Sequence, residues 1–179
     1  MFSLATLQLL ALSIILIAAV VTDIRERRIP NKITVPGLLI GLAIAAAMRG
    51  GFPVGALLGA LLALMVSAPL FALGGIGAGD AKLLTAVGAF VGPGGLFSVF
   101  LYGALAGGVL AIVTTAWRGA LGSVFRNLKN LLLYLITLGR YGERLRVDSP
   151  GALTVPYGLA IAIGALVTWF FPFSLGGSI

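Results

Sequence analysis

A chain of 179 residues with 60% hydrophobic and only 9% charged residues is too apolar for an ordinary water-soluble globule, and it reads as an integral membrane protein of one domain, residues 1–179. It contains no histidine and no cysteine, which excludes zinc and haem sites built on those ligands as well as Ser-His-Asp and Cys-His triads. The net charge of +7 sits beside apolar runs, where basic residues set membrane topology and meet anionic lipid rather than nucleic acid.

In chain order, Leu4 to Thr22 is the first apolar run. No basic segment precedes it and no small-residue cleavage site follows, so it is expected to be a retained span rather than a signal peptide. A charged loop, Asp23 to Lys32, comes next, and Pro30 stops a helix from continuing through it. Ile33 to Met48 is the second span, Arg49 to Pro53 a turn, and Val54 to Leu73 the third span. Gly55 and Gly59 lie four apart there, a spacing that lets helices pack closely. Gly74-Gly75-Ile76-Gly77-Ala78-Gly79-Asp80-Ala81-Lys82 follows.

Lys82 to Val91, little more than ten residues, is the weakest span, expected to be either tilted or extended at its start by Gly77 to Asp80. Gly92-Pro93-Gly94-Gly95 marks a break. Leu96 to Trp117 is the fifth span, with Gly103 and Gly107 again four apart. Arg118 to Ser149 carries six basic residues and apolar residues at helical spacing, the pattern of an interfacial amphipathic helix followed by a cytoplasmic turn. Leu153 to Phe171 is the sixth span, ending on Trp169, Phe170 and Phe171 at the membrane interface. The expected fold class is therefore all-α: a polytopic bundle of about six transmembrane helices plus one amphipathic cytoplasmic helix.

With six spans, every basic residue except Arg49 falls on one side. The positive-inside rule makes that side cytoplasmic and puts both termini outside. Asp23 and Asp80 then emerge at the same cytoplasmic edge.

Two isolated aspartates at span ends are the candidate site, because ionisable groups in a membrane are costly and mark function. Each also has a plainer role open to it. Asp23 can be a boundary charge paired with Arg25 or Arg27, and Asp80 can be the N-cap of the fourth helix. Taken as a pair, they suit hydrolysis. The ionised carboxylate removes a proton from water and the protonated one donates to the scissile carbonyl. Like charges at close range share one proton, and the two ionisations belong to the pair. Gly77 and Gly79 are expected to keep the wall beside Asp80 clear for an extended substrate. Lys82 is read as a topological charge or an electrostatic influence on the pair, and Glu26 as a solvated loop charge.

Gly77-Ala78-Gly79-Asp80 resembles the GxGD motif of membrane aspartic proteases. Asp23 with Ile29-Pro30-Asn31 resembles the first aspartate motif of type IV prepilin peptidases. Pro156-Tyr157-Gly158 is similar to the Pro-aromatic-Gly element near the end of those enzymes. The three elements occur in the family's order, over roughly Leu12 to Ala165. Presenilin-like proteases share only the GxGD motif; their Tyr-Asp and Pro-Ala-Leu elements are lacking here.

The resemblance implies an aspartic endopeptidase of the prokaryotic plasma membrane with Asp23 and Asp80 as its catalytic pair. Pro30, Asn31, Gly77, Gly79, Lys82, Pro156, Tyr157 and Gly158 would shape the site or bind substrate, with no metal and no cofactor. Its substrate would be a prepilin or pseudopilin whose hydrophobic N-terminal helix stays in the lipid while the leader is cut at the cytoplasmic face. Larger members that also methylate the new N-terminus carry an extra region with paired cysteines. This chain resembles the short, peptidase-only branch, including those serving tight-adherence pili. Two other classes stay open: a small transporter or channel component with two carboxylate ion sites, and a scaffold subunit that needs neither carboxylate. A transporter carboxylate belongs near the bilayer midplane, whereas both aspartates map to one edge.

Overall fold

The structure, a computed structural model, describes residues 3–117 and 157–172. Among these residues it is entirely helical. The helices are α1 (Leu4–Glu26), α2 (Asn31–Arg49), α3 (Val54–Ala72), α4 (Ala78–Trp117) and α5 (Tyr157–Phe170). Helices α1 to α4 are long and apolar enough to cross a membrane. The expected amphipathic helix, Arg118 to Ser149, and Pro156 lie outside the described residues.

Local chemistry explains the boundaries. The Ser3 hydroxyl caps α1 by accepting the Thr6 N–H at 3.1 Å. Helix α1 runs one turn past the expected end at Thr22, because backbone hydrogen bonding needs no apolar side chains. It closes at Arg27, a left-handed residue with φ 51° whose N–H reaches the Asp23 carbonyl at 2.9 Å. Asp23 therefore sits in the last turn of α1 and does not open a loop. Pro30 stands immediately before α2, and Gly50, with φ 66°, ends it.

The predicted break at residues 92–95 narrows to one residue. Gly92 has φ 67° and ψ −179° between two helical arms, 78–91 and 93–117; only glycine takes that geometry without strain. Pro93 restarts the helix from its first position, where a missing N–H costs nothing. The break interrupts the helical bonding pattern near Phe90, whose carbonyl accepts the Gln8 side-chain amide of α1 at 2.6 Å. A polar residue inside the first apolar run thus satisfies a backbone group at the break.

Helix α4 is the hub, packing on α3, α5, α2 and α1. Its first arm, which contains the run that looked weakest for its shortness, is heavily enclosed. Leu83, Leu84, Val87 and Phe90 join Leu12, Ile15, Leu16 and Ala19 of α1 and Ile161 and Ala165 of α5 in one buried cluster. Hydropathy rewards bulky lipid-facing residues, whereas a segment surrounded by helices uses small ones, here Ala81, Ala86, Gly88 and Ala89.

The tight crossings fall on particular glycines. A Cβ on Gly59 would overlap the Gly88 carbonyl oxygen, and one on Gly88 the Gly59 carbonyl. Gly55, its expected partner in packing, has open space where its Cβ would be. Between α4 and α5 the tight residue is Gly164, whose added Cβ would lie 2.6 Å from the Val99 carbonyl oxygen and 2.7 Å from the Gly103 nitrogen. Gly103 and Gly107 make only ordinary contacts.

Gly59→Ala and Gly88→Ala should each cost roughly 1–3 kcal/mol by overpacking the α3–α4 crossing, while Gly55→Ala should be neutral or gain up to about 1 kcal/mol of helix propensity. Thermal unfolding of the three purified variants in detergent checks the contrast. Equal melting temperatures would contradict the crossing.

Candidate active site

One end of the bundle gathers the C-terminus of α1, the α1–α2 connection and the N-terminus of α4 around a polar cleft of about 540 Å³. Asp23 and residues 26–32 line it from the first segment, and Gly77, Ala78, Gly79, Asp80 and Lys82 from the second. The two aspartates are 57 positions apart in sequence but share this cleft, and the charge of Asp23 acts on Asp80.

Each carboxylate is held by a backbone N–H at a helix start. Asp23 is buried, and its Oδ2 accepts the Gly158 N–H at 2.8 Å. Gly158 is the second described residue of α5, and its N–H is spent on this carboxylate. An added Cβ on Gly158 would lie 2.8 Å from the same oxygen and 3.2 Å from the Asp23 Cγ; a side chain there would push the carboxylate away. Arg27, one turn beyond Asp23, also acts on it through its charge.

Asp80 is half-buried, and its Oδ2 accepts the Gly77 N–H at 3.0 Å. It is the third residue of α4 and Gly77 is the residue before the helix, so Asp80 makes the returning half of a capping box. It caps the helix from the third position, not from the N-cap position itself.

Two contacts tie the aspartate segments to each other. The side of Gly79 where a Cβ would stand faces Ile29: that Cβ would be 3.0 Å from the Ile29 Cβ and 3.1 Å from its backbone nitrogen and oxygen. The bare wall at Gly79 is thus filled by the chain itself. The Lys82 ammonium donates to the Asn31 Oδ1 at 2.9 Å, bridging the rim between α4 and α2. Lys82 is therefore more than a topological charge. Tyr157 is half-buried beside Gly107, and the charge of Asp80 reaches its hydroxyl. Pro30 lines the cleft at the start of α2.

The structure brings together Asp23, Pro30, Asn31, Gly77, Gly79, Asp80, Lys82, Tyr157 and Gly158 of the predicted site. It adds rim residues that motif reading passed over, notably Arg28, Lys32 and Glu26. Their membership in one charged connection of a few residues was the available signal. No group of three or more metal-ligating side chains occurs among the described residues.

A profile of the type IV leader peptidase family matches residues 10–112, which include both aspartates and the segments around them. The chain belongs to the type IV leader peptidase family. Two curated relatives are the prepilin leader peptidase/N-methyltransferases of Burkholderia pseudomallei strains 1026b and K96243, each 31% identical over 181 residues. These alignments cover 96% of this chain and 49% of each relative, so the chain spans about half the length of the curated relatives it matches. No solved structure gives a significant match. Tyr157 and Gly158 lie outside the stretch matched to the family, yet the fold places Gly158 on Asp23.

The Gly79–Ile29 contact can be tested without touching a carboxylate. The chain has no cysteine, and the two Cβ positions, 3.0 Å apart, need to separate by about 0.5–1 Å to reach disulfide geometry. Ile29→Cys combined with Gly79→Cys should give an intramolecular disulfide under mild oxidation in membranes, read by mass spectrometry of a proteolytic digest. Two persistently free thiols would contradict the juxtaposition of the two aspartate segments.

Proposed function

We propose that this chain is a membrane-embedded aspartic endopeptidase that removes the leader peptide of type IV prepilins or pseudopilins at the cytoplasmic membrane face. The observation that carries the reading is the convergence of Asp23 and Asp80 on one polar cleft at one end of an apolar bundle. Membership in the leader peptidase family supports prepilins as the substrate class. The N-methyltransferase named for the relatives is not carried over, because the alignment covers only half of their length.

In this mechanism Asp23 and Asp80 share one proton. The ionised member takes a proton from a water as that water attacks the scissile carbonyl, and the protonated member donates to the carbonyl oxygen. The tetrahedral intermediate then collapses as the leaving amine takes up a proton. Gly158 and Gly77 supply the N–H groups that hold the two carboxylates in place. This reading takes the two arms of α4 on either side of Gly92 as separate crossings, so that with α1, α2, α3 and α5 there would be six. Cleft and basic rim then lie in the cytoplasm, where the positive-inside rule puts them. A prepilin would slide in laterally with its apolar helix still in the lipid. Lipid is as apolar as the helix, so recognition comes from packing and from the residues around the cut.

Co-expression with candidate prepilins, read on gels for leader removal, tests the activity. Asp23→Asn and Asp80→Asn should each lower cleavage by several orders of magnitude, because the two carboxylates act as a unit. Both variants should remain inserted, with unchanged helix content by circular dichroism. Substantial cleavage by either purified variant would sink the two-aspartate mechanism.

The reaction should also proceed without metal, since the chain has neither His nor Cys and its five acids are too dispersed to favour a carboxylate cage. EDTA should leave the rate of the purified enzyme unchanged. A loss restored by one particular divalent ion would argue for a different chemistry.

A further inference from the structure

Thr34 is 2% exposed, and its hydroxyl is the one buried side-chain polar atom without a hydrogen-bond partner among the described residues. Burying such a group unpaired costs roughly 1–3 kcal/mol, and a valine of the same shape would avoid that cost. Buried threonines elsewhere in the bundle settle their hydroxyls on the carbonyl four residues back: Thr115 on Ala111 at 2.6 Å and Thr168 on Gly164 at 2.8 Å. Thr34 departs from that habit close to the cleft.

Its level in the bundle follows from its neighbours. The buried face of α2 is Thr34, Gly37, Gly41 and Ile44. Along this face Ile29 meets Gly79, Gly37 meets Ala86, and Gly41 meets Ala89. Helix α2 therefore runs parallel to the first arm of α4, and Thr34 lies between Gly79 and Ala86, one turn beneath the cleft. Across the α1–α2 interface Gly37 meets Ile15, and the short connection makes these two helices antiparallel. Side chains lean towards the N-terminus of their own helix. In this antiparallel pair the general lean carries the Asp23 side chain away from the cleft mouth and that of Thr34 towards it, which shortens the axial gap between them.

We propose that Thr34 is a positioning residue of the active site, whose hydroxyl engages the Asp23 side of the aspartate pair, directly or through one water, when substrate fills the cleft. The inference rests on the two-aspartate reading. It explains why a membrane helix keeps a buried hydroxyl at this level: its partner is a group that moves or changes charge during turnover.

The test uses the full chain in proteoliposomes with an intact prepilin identified by co-expression. Thr34→Val should keep or raise the melting temperature, hold KM within about twofold and lower kcat roughly 10- to 100-fold, the scale on which a misplaced catalytic group acts. Thr34→Ser, which restores the hydroxyl, should recover most of kcat. Wild-type kcat in Thr34→Val would overturn the proposal. So would a loss confined to KM, or a loss in both variants that tracks a lowered melting temperature. Asp23→Asn and Asp80→Asn run beside them separate the two failures. If those variants are inactive while Thr34→Val is normal, only the role of Thr34 falls; if they cleave, the two-aspartate reading falls with it.

Discussion

In an apolar surrounding, a helix gains little by exchanging lipid for another helix, so cohesion depends on how closely backbones can approach. The mutual contact of Gly59 and Gly88 is where this constraint is tightest: each glycine occupies the space the other's Cβ would need. That crossing seats the first arm of α4 against α3, while Gly37 and Gly41 admit it against α2. A short segment of small residues thereby becomes the enclosed centre of the bundle, with Asp80 in its first turn. The candidate site depends on this enclosure, because it fixes the height at which Asp80 meets the end of α1.

The second constraint is that backbone groups inside a membrane protein must find partners within it. Three places among the described residues meet it, two of them with site residues. The start of α4 gives the Gly77 N–H to Asp80, and the start of α5 gives the Gly158 N–H to Asp23. The interruption at Gly92 has a polar partner in Gln8. The same hydrogen bonds that satisfy two helix ends therefore orient two carboxylates. Helix ends and acid pair are thus one device: losing either aspartate removes a cap as well as a charge.

The cleft around the pair is polar, opens at one end of the bundle, and carries Arg27, Arg28, Lys32 and Lys82 on its rim. A proton-conducting or ion-conducting path would need carboxylates deep in the span, and these lie at the ends of their helices. Hydrolysis needs carboxylates that water can reach, and both aspartates line the polar cleft at the meeting of α1, α2 and α4. Membership in the leader peptidase family and a polar cleft holding both aspartates are the two separate observations on which the proposed hydrolysis rests.

Much of this was readable from residue order. Apolar content required a helical membrane protein, Pro30 and Gly50 bounded α2, and Asp23 and Asp80 stood out because charge is rare in such a chain. Those features are local, and local chemistry suffices to read them. Other features depended on how distant segments meet. The short apolar run from Lys82 to Val91 read as the weakest span, since length along the chain does not show that this arm is enclosed by other helices. Four-residue glycine spacing named Gly55 and Gly59 alike, but only the crossing angle decides which glycine meets a backbone. Gly158 stood only as one residue of a motif expected to shape the site until the fold placed its N–H on Asp23, 135 positions away. Thr34 carried no motif, and its isolation exists only inside the packed bundle. The sequence by itself determined the class of structure and the pair of acids, because composition and rare charges act residue by residue. Tertiary structure alone decided what holds each acid, because hydrogen bonds and close backbone contacts are properties of segments brought together.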